Sequence, residues 1–216
     1  MKVIKFITIM SLLVIFPSLA MASVIIDTGH NGGIGWLLSS SQWLSSEFSV
    51  DEELRITNID GYLHGYSDQQ LTISLYSDGG EIPGKQLFST KIATDSYTGW
   101  QGASGLQWDV SSGTYWISFE VRPGDNYAGS LFNTYLRPLE NEAFYSRSYG
   151  WVDGVYGLSY HWSEADHLNL ALRISAEPSP TPVPLPPSIV LLAFGLSGIV
   201  FMHSNKIFNK LLITRE

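Results

Sequence analysis

The run richest in reactive side chains is His161-Trp162-Ser163-Glu164-Ala165-Asp166-His167, with two imidazoles and two carboxyl groups in seven residues. A zinc site of the His-Glu-x-x-His kind needs its histidines four apart, with the Glu between them as base. Here they stand six apart, in a stretch that reads as loop and strand. They are expected to be surface polar residues entering the last strand. Asp51-Glu52-Glu53 carries oxygen ligands of the sort that hold calcium, and reads as a solvated acidic turn. No Gly-x-Ser-x-Gly elbow or phosphate-cradling glycine loop is present. Two carboxyls working on a glycosidic bond need only spatial proximity, and the 18 acids between residues 23 and 176 do not single out a pair. No catalytic, cofactor-binding or metal-ligating residue is assigned, no cofactor is expected, and the chain is expected not to be an enzyme.

Aromatic rings are the stronger signal. Phe144, Tyr145, Tyr149, Trp151, Tyr156, Tyr160 and Trp162 place seven rings in nineteen residues, interleaved with Gly150, Gly154 and Gly157. Flat rings beside polar groups suit sugars, which present apolar C–H faces and a rim of hydroxyls. Trp151, in a glycine-flanked stretch read as a loop, is the first choice of platform, with Tyr149 and Tyr156 as companion ligand-binding candidates. Trp36, Trp43 and Trp100 also fall near turns. The competing reading is that these rings fill a core or brace a sheet face.

The whole chain has 216 residues, 44% of them hydrophobic and only 15% charged. That suits one ordinary domain with appendages rather than a solvated disordered polymer. Lys and Arg number 12 against 20 Asp and Glu, a net charge of −8, too few cations for a nucleic-acid groove. Without cysteine there is no disulfide framework, thiol nucleophile or thiolate metal site.

The two ends read as addresses. Lys2 and Lys5, an apolar run from Phe6 to Leu19 and the small-x-small site Ala20-Met21-Ala22 form the three parts of a signal peptide over residues 1–22. Cleavage by signal peptidase is expected after Ala22. Six of the ten prolines lie between Pro178 and Pro187, an extended stretch unable to join a sheet. Residues 177–187 are read as a linker. Ser188 to Met202 carries no charge; as a helix it reaches about 22 Å against a hydrocarbon core of about 30 Å. The uncharged region continues to Asn205, and residues 188–208 are read as a single membrane-spanning helix. Lys206, Lys210 and Arg215 follow, which predicts a cytoplasmic basic tail at 209–216.

Val183-Pro184-Leu185-Pro186-Pro187, then a short helix with Gly195 and Gly198, then a basic end, resembles the PEP-CTERM sorting signal, in the form whose motif reads Val-Pro-Leu-Pro-Ala. Pro187 stands where that family has Ala, and the cations are spread out rather than packed directly after the helix. The resemblance implies a Gram-negative bacterial export route. In it the protein is anchored in the inner membrane through its tail, is handled by an exosortase-type enzyme, and then reaches the cell surface or an exopolysaccharide-rich, biofilm-type matrix.

Residues 23–176 alternate with period two. Tyr115, Ile117, Phe119 and Val121 form one row, and Leu168, Leu170, Leu172 and Ile174 another; such rows cover a core when the chain is a strand. Leu71-Ile73-Leu75, Leu54 with Ile56, and the stretch Leu106 to Val110 repeat the pattern between short breaks rich in Gly, Asp, Ser and Asn. An all-β, antiparallel sandwich is expected. The phrase Leu75-Tyr76-Ser77-Asp78-Gly79-Gly80-Glu81-Ile82-Pro83-Gly84, read as a strand, a paired-glycine turn and a separate Pro-Gly turn, resembles one in choice-of-anchor domains. Gly113 to Trp116 adds to the likeness, which implies a jelly-roll-like extracellular domain. Together these features predict a non-catalytic, exported surface or matrix protein that binds polysaccharide. A polysaccharide-modifying enzyme and a structural or adhesive subunit are the alternatives.

Overall fold

The computed structural model describes residues 22–30, 33, 35–134, 139, 141–152, 155–165 and 168–179, without the side chains of 147–152 and 155–158. The leader, the sorting motif, the proposed membrane helix and the basic tail lie outside the described residues. These residues form twelve strands: β1 (Ser23–Asp27), β2 (Gly35–Leu38), β3 (Gln42–Val50), β4 (Leu54–His64), β5 (Gln69–Asp78), β6 (Pro83–Thr94), β7 (Gly99–Val110), β8 (Gly113–Glu120), β9 (Gly129–Phe132), β10 (Glu142–Val152), β11 (Val155–Glu164) and β12 (Leu172–Pro178). All pair antiparallel, in two sheets. The first runs β1-β12-β4-β9-β2, with β7 on the other edge of β4; the second runs β11-β10-β3-β8-β5-β6.

The expected rows do cover a core. Ile117 and Phe119 on β8, and Leu71, Ile73 and Leu75 on β5, are fully enclosed, and Val121 nearly so. On β4 the buried set changes parity from Leu54 and Ile56 to Ile59 and Leu63. A register shift between Ile56 and Asn58 accounts for this, because one extra residue in a strand turns the following side chains to the opposite face. The two sheets meet directly. The Phe88 ring of one stacks on Trp108 of the other with centroids 5.5 Å apart, and Trp36 meets Phe144 edge-on at 5.6 Å. Gly61 lets the sheets close: a Cβ there would lie 2.8 Å from both Phe119 and Leu131.

Three expectations are corrected. Glu177 and Pro178, read as the start of a linker unable to join a sheet, end β12 opposite Arg55 and Leu54; proline is tolerated at such a strand end. Pro83-Gly84 is no separate turn: Pro83 pairs with Asp78 and opens β6, and the reversal is left to Gly79 and Gly80, the latter at φ 90°. The last row is buried at Leu168 and Leu170 as well as Leu172 and Ile174, but the strand begins only at Leu172. Asn169 takes φ 44°, a left-handed conformation that interrupts a strand and that Asn tolerates better than most residues.

Candidate ligand face

The side chains of β3, β5 and β8 that point away from the core are not simply solvated. Trp116, Ser118 and Glu120 on β8, Ser74 and Tyr76 on β5, and Ser45 on β3 are all buried. Curvature of the second sheet is the reason. Four strand spacings separate β11 from β5, about 19 Å in a flat sheet, yet the rings of Trp162 and Tyr76 lie 6.0 Å apart. The β10–β11 edge therefore curls over the outer face. Tyr76, Trp116 and Ala143 form a small second apolar cluster there, with Ile82 and Trp162 packed against it.

A ladder of rings crosses this face. Trp43 stacks on Tyr145 with centroids 4.2 Å apart and planes 17° apart. Tyr145 is followed by Tyr160 at 6.0 Å and 18°, and Trp162 meets Tyr145 edge-on at 5.3 Å. Arg122 continues the line, its guanidinium carbon 5.9 Å from the Trp43 centroid, within cation–π reach. The faces of Trp43 and Tyr145 are thus largely spent on neighbours. Tyr160 terminates the ladder and is 43% exposed.

Beside the ladder lies a polar network. The Tyr76 hydroxyl donates to Glu120 Oε1 at 2.9 Å, and Arg122 Nε donates to Glu120 Oε2. Arg122 Nη2 is shared among Ser74 Oγ and Tyr76 Oη, each at 3.2 Å, and Gln86 Oε1. Arg122 Nη1 donates to no described residue. Ser118 Oγ lies beside the Glu120 carboxylate outside the geometry of a formed hydrogen bond. The segment that supplies Arg122 is pinned by Asp125, whose Oδ2 accepts from Arg122 N at 2.9 Å and from Thr72 Oγ1 at 2.8 Å, while Lys91 Nζ sits 2.7 Å from its Oδ1. Burial pushes the Glu120 carboxyl above the usual range, only partly opposed by Arg122 and Tyr76. Burial and the neighbouring Glu120 push the Tyr76 phenol up. Burial works against the charge on Arg122, and Glu120 more than offsets it.

Trp151, Tyr149 and Tyr156 lie in strands of the β10–β11 hairpin, not in a loop. Gly150 pairs with Gly157 within the ladder of hydrogen bonds, so the glycines that suggested a loop are strand residues. Trp151 stands opposite Tyr156 and Tyr149 opposite Leu158, in the same alternation that sets Tyr145 opposite Trp162; their side chains lie outside the described part. β10 pairs with β3 only over Glu142–Ser146, whereas its pairing with β11 continues to Val152. The hairpin thus extends beyond its contact with β3. Of the other tryptophans near turns, Trp100 lies on the opposite sheet, where Arg173 covers it at 3.9 Å and His30 stacks over neighbouring Tyr62 at 3.8 Å. Those rings are capped from within.

Asp51, Glu52 and Glu53 are exposed between β3 and β4. His161 and Glu164 sit on β11, Asp166 and His167 lie outside the described residues, and no three potential metal ligands gather among the described residues. The Glu120–Arg122–Tyr76–Gln86 network was missed by sequence reading. One signal was available: Glu120 and Arg122 stand two apart at a strand end, a spacing that puts both on one face. In comparisons with family models, curated proteins and solved structures, the chain matches none.

Proposed function

We propose that this is an exported, non-catalytic surface or matrix protein that binds polysaccharide along the aromatic side of its β10–β11 hairpin. The observation carrying this reading is the ring ladder ending in the exposed Tyr160 beside a half-buried Arg122 tied to the buried Glu120. Rings give a pyranose an apolar surface, and a fixed guanidinium gives its hydroxyls donors. Glu120, the carboxyl inside the network, is enclosed on all sides, with both oxygens already accepting. That favours holding a sugar over cutting one. The sandwich is read as jelly-roll-like. Export is supported by the placement of β1, which begins at Ser23, directly after the Ala20-Met21-Ala22 site. The proline-rich Val183–Pro187 motif and residues 188–208 serve as exosortase-type sorting signal and membrane anchor before processing.

The test is affinity gel electrophoresis through the native exopolysaccharide. Tyr160→Ala and Trp151→Ala should each lose retardation while Tm stays within about 3 °C, the shift expected for a change below about 1 kcal/mol. A larger thermal loss would make the ring a brace of the sheet, and unchanged retardation would retire the site.

A further inference from the structure

We propose that the outer edge of β11 is a self-association surface, paired antiparallel with β11 of a second copy of this chain. The inference goes beyond the sugar-binding reading and does not depend on it, since strand pairing uses the backbone edge and leaves the ring-bearing face in place. Among the described strands, five lie outermost in their sheets: β1, β2, β6, β7 and β11. A bare strand edge offers unpaired N–H and C=O groups to any other chain, and proteins blunt it by shortness, lysine, proline or a bulge. β1 and β2 have five and four residues. β6 carries Pro83, Lys85 and Lys91, and its register with β5 breaks twice. β7 bulges opposite Ile56–Asn58, with Gly105 at φ 70°. β11 has none of these devices. Val155–Glu164 includes no Lys, Arg or Pro, and every residue of it pairs with β10 in unbroken register.

The hairpin also needs more than its own two strands. β3 covers β10 only over Glu142–Ser146. From Arg147 to Val152 on β10, and from Val155 to Tyr160 on β11, the described chain is a two-stranded ribbon, about 20 Å long. Such a ribbon is marginally stable alone in water, whereas three or more strands hold. Its sequence is rich in residues that bury well, Tyr149, Trp151, Val152, Val155, Tyr156 and Leu158. Arg147 stands at the start of the bare β10 edge; β11 has no such charge, which selects it as the joint. A two-fold axis through Ser159 sets Val155–Ser163 of one copy against the same residues of the other, and an axis through Tyr160 does so for Tyr156–Glu164. Either axis keeps the alternation: Tyr156, Leu158, Tyr160 and Trp162 meet their own row, and Gly157, Ser159, His161 and Ser163 meet theirs. Each ribbon then lies against the half of the partner's β11 that is anchored through β10 to β3, giving four strands in a row where one copy has two. This match needs no second sequence, which favours a copy of the same chain over an unrelated strand.

The exported protein is measured in detergent by size-exclusion chromatography with light scattering. A mass of two chains is expected, falling by half in Tyr160→Lys, which puts a lysine on the edge. The chain has no cysteine, so a single one reports its own neighbour. Antiparallel partners lie about 4.5–5.5 Å apart at Cα, within disulfide reach. Oxidation should therefore cross-link Ser159→Cys or Tyr160→Cys, whichever lies on the axis, while Ser89→Cys on the guarded β6 stays single. That result decides the matter even where Tyr160→Lys fails to fold. A wild type of one-chain mass whose outward β11 amides exchange rapidly overturns the proposal. One-chain mass with those amides protected also overturns it and names another segment of the same chain as the occupant. A two-chain mass with neither cysteine cross-linked places the contact elsewhere and overturns it too. Retardation by exopolysaccharide is read separately, and its loss leaves the pairing standing.

Discussion

Arg122 is held by four side chains from three strands and by its own backbone contact with Asp125. Removing it leaves Glu120 buried without its counter-charge. Arg122→Ala should therefore cost about 3 kcal/mol in urea denaturation, near the lower bound for breaking a buried pair because the guanidinium is partly exposed. Glu120→Gln should cost less, since the amide oxygen still accepts from Arg122. The two should also differ with pH. Because the folded-state pKa of Glu120 is raised by burial, the unfolded chain releases this proton first, and the wild type loses stability as pH rises from the ordinary Glu value of 4.5 toward the folded one. The Tm difference should move in favour of Glu120→Gln over that interval and level off above it; movement the other way would mean that the pair holds the carboxyl below its ordinary value. Little of this network was legible in the chain. Tyr76, Gln86 and Arg122 stand far apart in sequence and meet only through the register of β5 with β6 and β8, which no local pattern encodes.

At the scale of elements, alternation was the legible part. The row from Tyr115 to Val121 and the row Leu71-Ile73-Leu75 face the core as a period of two requires. It misled where glycine and proline were taken as punctuation: Gly150 and Gly157 lie within paired strands, and Pro83 opens β6. Alternation also assigns only one face to the core, so it says nothing of Trp116 and Glu120, which are enclosed because the sheet curls. Glycine has another use at the seams between strands and sheets. At Gly102 on β7 a Cβ would fall 1.9 Å from the Ile59 carbonyl oxygen of β4 and 2.7 Å from Asp60 Oδ1. A backbone atom cannot rotate aside. Gly102→Ala should then cost more than Gly61→Ala, where the obstructing atoms belong to the Phe119 and Leu131 side chains and overpacking costs about 1–3 kcal/mol. Equal midpoints in urea would show that β7 shifts freely against β4. Hydrogen exchange along β4 in the Gly102→Ala protein should rise at Ile59 and Asp60 first, where the pairing with β7 is forced apart.

For the molecule as a whole, intact mass of the exported product is the most informative measurement. A chain beginning at Ser23 and ending within or after the Val183–Pro187 motif is expected, with any added anchor appearing as extra mass. A full-length species indifferent to detergent would remove the export reading, while the fold would stand. Within the body, β1 and β12 are direct neighbours, with Ser23 paired to Ala176, and β12 also lines β4 along Leu54–Gly61. Among the described strands the first thus waits for the last, and the Leu54–Gly61 stretch of β4 lacks its partner on one edge until β12 is in place. Truncation before Leu172 should therefore leave β1 unpaired and bare the Leu54–Gly61 edge of β4, which makes a template for aggregation rather than a shorter sandwich.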